Sequence, residues 1–335
     1  MATEREGRRS RRDVLKMGIA LGGGALIGPE LAMAKGSASR EPAVSEGAPR
    51  VVIPREEGLT VKKADAQVLL RLLDRGMEGL FGGSRDAWEG IVKPDDVVGI
   101  KVNGLAGRGM STRPALVDAL VECLQGAGVR SRNIVIWDRL GSDLRRAGFP
   151  LNVGGNEVQS YGNDVGGYEG RLTMHRSVAS LMARTLTERC SVIINVPVLK
   201  DHGICGVTLA MKNFFGAIHN PNKYHLGTGD PYIADLYTHP AIRGKTVLTV
   251  ADAVSAQCEG GPPFMPHWAW DFGGLMLATD PVAMDTVGWE IIEAERKRHG
   301  LPSLAEAKRE PTYIDTAAKR GLGTADRERI EVRTV

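Results

Sequence analysis

Cysteine is scarce in this 335-residue chain, with only four residues. Cys123, Cys190, Cys205 and Cys258 stand far apart and form no C-x-x-C pair. That spacing speaks against an iron–sulfur cluster held by this chain alone, because cluster motifs are usually compact. Four cysteines allow three full pairings in an oxidising compartment. Cys123 lies on the apolar face of a helix pattern and reads as a buried free thiol. Charge of one sign is also lacking: 43 Lys and Arg face 40 Asp and Glu, a net charge of +3. Such balance leaves no electrostatic footprint for nucleic acid or for an anionic membrane. No apolar run approaches the ~20 residues of a membrane-spanning helix. A G-x-x-x-x-G-K-[ST] phosphate loop and an H-E-x-x-H metal motif are both absent, so nucleotide binding and that class of zinc enzyme lack support.

The amino-terminal end does carry a signal. Ser10-Arg11-Arg12-Asp13-Val14-Leu15-Lys16 resembles the twin-arginine export signature, with Val14 where phenylalanine is more usual. A glycine-rich apolar run follows from Met17 to Ile27, and Ala32-Met33-Ala34 is a small-residue cleavage pattern. The expectation is a signal peptide over residues 1–34, cleaved after Ala34, and a periplasmic protein with no membrane span in its mature part. Its first partner would be the twin-arginine translocation machinery. That route carries folded cargo, which favours a cofactor loaded before export, a divalent metal among the candidates. Removing residues 1–34 takes away six basic and four acidic side chains and leaves a net charge near +1. Residues 35–50, rich in Ser, Ala, Gly, Glu and Pro, read as a linker.

From residue 51 to 335 the pattern is that of one α/β domain. Continuously apolar stretches such as VVGIKV (97–102), NIVIW (133–137) and SVIINVPV (191–198) alternate with helical spacing. That alternation predicts a mostly parallel sheet with helices on both faces. Helices are expected over Ala64–Phe81, from Ser111-Thr112-Arg113-Pro114 to Gly126, over Ser142–Ala147, over Val178–Arg189 and from Pro281 onward. Residues 148–170 read as one irregular insertion or as small hairpins. A strand is expected over Lys245–Ala251, closed by Asp252, and a long loop over Cys258–Phe272.

In open α/β sheets ligands bind outside the carboxyl ends of the strands. Lys101 and Asn103, Asp138, Lys200, Asp201 and His202, Asp252 and Asp280 all fall there on this reading. Asp280-Pro281 is best read as a helix cap. Lys101, inside an apolar strand, must snorkel or meet an anion. Lys101, Lys200 and Lys212 together suit a carboxylate or phosphate, with Asn103, Asp138, Asn213 and Asp252 as further ligand-binding groups. A helix expected to start at Gly203–Gly206 would add its free amides. A competing use of the segment is a metal centre, with His202, Cys205 and His225 as ligands. Cys205 at such a helix start also reads either as a nucleophilic thiol or as a small buried hydrophobe.

Four segments, GIKVN (99–103), STRPALVDAL (111–120), NVPVLKDHGICGVTLAMKNFFGAI (195–218) and ATDPVAMDTVG (278–288), resemble the domain of unknown function 362 in sequence and in order. Many members of that family carry a ferredoxin-like segment of clustered cysteines, and this chain has none. The resemblance implies the domain and no reaction. Two functions remain open. One is an enzyme, metal-assisted or not, acting on a small anionic ligand, with His202, Lys200 and Lys101 as catalytic groups. The other is a non-catalytic metal- or ligand-binding maturation protein for an exported redox partner.

Overall fold

The computed structural model describes residues 48–335. The expected signal at 1–34, and the expected linker up to residue 47, lie outside the described residues. The strands are β1 (Arg50–Ile53), β2 (Val98–Val102), β3 (Ile134–Asp138), β4 (Gln159–Gly162), β5 (Thr173–His175), β6 (Val178–Ser180), β7 (Val192–Val196), β8 (Val198–His202), β9 (Gly206–Thr208), β10 (Thr246–Gln257), β11 (Ala269–Ala278) and β12 (Glu331–Thr334). The helices are α1 (Ala66–Phe81), α2 (Ser84–Ile91), α3 (Pro114–Gly126), α4 (Gly141–Ala147), α5 (Asn163–Gly166), α6 (Tyr232–Tyr237), α7 (Pro240–Arg243), α8 (Pro281–Arg298) and α9 (Tyr313–Lys319).

The main sheet runs β12-β1-β11-β10-β7-β2-β3-β4, and a β8–β9 hairpin extends it beside β10. Strands β10, β7, β2, β3 and β4 are mutually parallel. Only β11 and the hairpin introduce antiparallel pairs into this sheet. The chain lays down β2, β3 and β4 in one direction and then returns to place β7 on the other side of β2. The strand order therefore reverses between β2 and β7, which is where such sheets open a crevice for ligand.

Both faces are covered, so strand residues alternate between two apolar layers. Ile134 and Ile136 pack with Leu69 and Leu72 of α1 and Leu116 and Leu120 of α3. Val135 and Trp137 face the other way, onto Leu186, Phe214 and Ile233. Helix α1 starts where Asp65 accepts the Val68 amide at 2.9 Å and stops at Gly82, whose φ of 86° no side-chain-bearing residue adopts cheaply. Asp280 caps α8 through the Val282 and Ala283 amides, as its Asp-Pro sequence foretold.

Four local expectations are corrected. Val178–Arg189 is not one helix: Val178–Ser180 pairs antiparallel with Thr173–His175, and only Thr185–Arg189 is helical. The insertion at 148–170 holds β4, an edge strand bonded to β3 that its polar sequence QSYG conceals. The strand expected to close at Asp252 runs on to Gln257, because β11 pairs with it along Ala253, Ser255 and Gln257. Directly after Cys205 comes a strand, Gly206–Thr208, and the expected helix is only a short 3-10 turn that starts late, at Lys212–Ala217. Gly206 turns the chain with φ of 76°, and a Cβ there would lie 2.3 Å from the Arg309 carbonyl. All four cysteines are free thiols, and among the described residues no helix is long and apolar enough to cross a membrane.

Candidate functional site

A cavity of about 390 Å³ opens at the carboxyl ends of β2 and β3, beside the β8–β9 hairpin. Its walls include Asn103, Asp138, Lys200, His202, Lys212, Asn213 and His225. Seven of the residues singled out in the sequence thus line one cavity. Lys200 and His202 alternate with Asp201 along β8, so both point inward and Asp201 points away. Thr208 lies opposite Lys200 in the hairpin register and also faces the cavity.

The lysines fall into distinct electrostatic classes. Lys101, 1% exposed, sits behind the cavity wall. Its Nζ donates to Asp138 Oδ1 at 2.8 Å and to the Val102 carbonyl at 2.7 Å. Asp138 also accepts the Arg139 and Gly104 amides. Lys101 and Asp138 therefore neutralise each other, and Lys101 does not reach the cavity as an anion ligand. Lys200 donates to three uncharged oxygens, Asn103 Oδ1 at 3.0 Å, Met110 O at 3.0 Å and Pro262 O at 3.3 Å. Burial without a bonded carboxylate pulls it down to about 7. Among the described residues Lys212 Nζ has a single hydrogen-bond partner, His225 Nε2 at 3.1 Å, and it stands over the Phe215 ring at 4.2 Å. Burial pulls it down to about 8.

The two histidines are fixed by their backbone contacts. His202 Nδ1 accepts the Ile204 and Cys205 amides, both at 3.2 Å. That nitrogen carries no proton, so Nε2 does, and the ring is a hydrogen-bond donor toward the cavity. Burial, and then the Lys212 charge, push its titration down to about 2. His202 therefore stays neutral, and its expected acid–base role becomes that of a donor. His225 is the reverse: Nδ1 faces the Pro221 and Asn222 carbonyls, so Nε2 is the lone-pair nitrogen that meets Lys212. The rings stack with centroids 5.2 Å apart.

The expected metal ligands do meet. Donor atoms of His202, Cys205 and His225 lie within 4.8 Å of one another. Yet His202 Nδ1 is spent on two amides, the Lys212 amine occupies His225 Nε2, and burial holds the Cys205 thiol up as a protonated group. The donor set as arranged is a hydrogen-bonded cluster. Cys205 is fully buried in a hairpin, away from any helix start, so its nucleophilic reading is lost with the helix.

Asn213 lines the cavity but uses both ends of its amide. It donates to Lys101 O and Asn195 Oδ1 and accepts from Asn103 Nδ2. It ties β2 and β7 to the Lys212 turn. Asp252 does not reach the cavity: it lies inside β10 and binds the Arg113 guanidinium at 2.7 Å and the Arg113 amide at 2.9 Å, fixing the start of α3.

Sequence reasoning missed several contributors. Arg139 lines the cavity one residue after Asp138, a position the strand-end rule covers. Asp285, fully buried in α8, accepts the Ala210 and Met211 amides at 2.6 and 3.2 Å. It thereby holds the backbone that presents Lys212, and burial raises its own titration to about 7. Thr208 Oγ1 is buried in the cavity wall with no hydrogen-bond partner among the described residues. Asp143, also in the lining, is neutralised by Arg146. With both acids compensated, Lys200, Lys212 and Arg139 give the cavity a positive excess.

Comparison with known proteins adds a family and no activity. No curated protein matches the chain. A solved structure of a protein from Thermotoga maritima aligns at 11% identity and a TM-score of 0.36, over 79% of this chain and 60% of the other. This chain thus spans about 60% of that protein's length. The model of the domain of unknown function (DUF362) matches residues 98–290, which hold the sheet's parallel half, the hairpin and the lysine turn, and the chain belongs to that family.

Proposed function

We propose that the cavity binds a small carboxylate- or phosphate-bearing molecule and that the protein is an enzyme acting on it. The observation that carries this reading is the lysine pair. Lys200 and Lys212 enter one cavity without a bonded carboxylate between them. A ligand anion would supply the missing counter-charge and restore both to the charged form. His202 Nε2–H and the unpartnered Thr208 hydroxyl would complete the ligand's hydrogen bonds. Arg139 would steer it toward the opening. Asn103, Asn213 and Asp285 would act by position, since their polar atoms are already engaged with the lysines and their supporting backbone.

The test is calorimetric titration of phosphate and small carboxylates into wild type, Lys200→Met and Lys212→Met. The reading expects binding to wild type and weakened binding to both variants. Unchanged affinity in folded variants would end it. The reading also includes export by the twin-arginine route, supported by Arg11-Arg12 and the Ala32-Met33-Ala34 site. Replacing Arg11 and Arg12 by lysine should trap the precursor in the cytoplasmic fraction; normal export would remove that part.

A further inference from the structure

We propose that Lys212 is a nucleophile whose amine condenses with the carbonyl of a small oxo acid, so that the anion held in the cavity carries an aldehyde or ketone beside its carboxylate. This rests on the anion reading above and names its substrate class.

The geometry singles out one amine among three. Lys101 is locked to a carboxylate and a carbonyl. Lys200 has an oxygen acceptor for each of its three protons and is held like a clamp. Lys212 faces only a nitrogen base, His225 Nε2, while Phe215 supplies an apolar floor beneath it. In its uncharged form the amine donates to His225 Nε2 and keeps its lone pair for a substrate. The His225 N–H, aimed at the Pro221 and Asn222 carbonyls, fixes the tautomer that leaves Nε2 as the acceptor. Charge also comes cheaply out of this amine, which titrates near 8 where an ordinary lysine titrates at 10.5.

The step balances without an oxidant or reductant. The Lys212 nitrogen attacks the carbonyl carbon, and the C=O π bond opens to give a carbinolamine. His225 moves a proton from the nitrogen to the new hydroxyl. That hydroxyl leaves as water, and a C=N bond joins Lys212 to the substrate. The His202 Nε2–H is a fixed donor for the carbonyl oxygen as charge develops on it. Lys200, its three protons engaged, would attract the carboxylate through its charge, with the unpartnered Thr208 hydroxyl as the direct donor. The exposed rim residues Leu105 and Ile204, which line the cavity, offer contact for an apolar substituent.

The experiment uses glyoxylate, the smallest aldehyde acid, with glycolate as its carbonyl-free control. Both are titrated into the wild-type protein, and the glyoxylate mixture is then reduced with borohydride and mapped by peptide mass spectrometry. The expected result is binding of both acids and one reduced adduct per chain, on Lys212. Lys212→Arg, which keeps a cation but no primary amine, should lose the adduct. Binding of both acids with no adduct on Lys212, or with adducts spread over surface lysines, overturns the imine and leaves the anion site standing. Failure of both acids to bind, with no adduct, overturns both readings.

Discussion

Strand β8 has two charged faces, and they are built on opposite principles. On one side Asp201 meets Arg309 at 3.1 Å, and Arg309 and Arg296 both reach Glu259. Asp201 also accepts the Gly261 amide at 2.9 Å, and Arg296 donates to the Cys258 and Pro302 carbonyls. Each acid there finds a cation, so the network is closed. On the other side, one residue away, Lys200 and Lys212 share a cavity without a bonded carboxylate. Burying a charge costs several kcal/mol unless it is paired. The chain gives Asp201 a cation and hydrogen bonds, although burial still raises its titration, and leaves its neighbour Lys200 to neutral oxygens. On this strand, the face whose cation lacks a carboxylate partner is therefore the one that lines the cavity.

The largest effect should come from opening the closed face. Arg309→Leu strands Asp201 in the interior, and removal of one partner from a buried pair costs roughly 3–5 kcal/mol. Denaturant unfolding checks this, and a loss below about 1 kcal/mol would mean the network is not holding the hairpin. Lys212→Met should do the opposite. Anion affinity falls at least tenfold, or about 1.4 kcal/mol, while stability stays level or rises because a buried unpaired cation is gone. A matching loss of stability would erase the distinction between the faces.

The pH dependence separates them further. Lys200 and Lys212 titrate at about 7 and about 8, below the usual 10.5. Both are charged below pH 7, so anion affinity is highest there and falls as pH rises through 7 to 8. Stability moves the other way, because between those values and 10.5 the folded chain holds fewer protons on these lysines than the unfolded chain does. The stability of wild type relative to Lys212→Met should therefore rise from pH 8 to 10, read from paired unfolding curves. A flat difference contradicts the displaced titration. The smallest expected response is to metal. Equimolar zinc should leave the melting temperature unchanged, whereas stoichiometric zinc with a concentration-dependent rise would restore His202, Cys205 and His225 as a metal centre.

Much of this arrangement was legible in the sequence, for a physical reason. Strands such as VIINV are apolar on both faces, which only a covered parallel sheet requires, and the carboxyl-end rule then gathered Asn103, Asp138 and Lys200. Partners were not legible. Nothing local in GIKVN says that Lys101 meets Asp138 from another strand, or that Asp252 turns to Arg113. The helix expected after Cys205 shrank to Lys212–Ala217 because VTLAMKNFF reads apolar at either period, while the hairpin depends on pairing to β8 and on Gly206. Asp285 stayed hidden in a helix pattern 73 residues from Lys212, since its role is to bind amides brought to it by the fold.

The central claim is that a bound anion completes the charge of Lys200 and Lys212. Its most direct test is calorimetric titration of glycolate, which forms no imine, and phosphate at pH 8, repeated in buffers of different ionisation enthalpy. The account predicts binding with net proton uptake as the lysines return to their charged forms. Binding without proton uptake, or no binding of either anion, would contradict it.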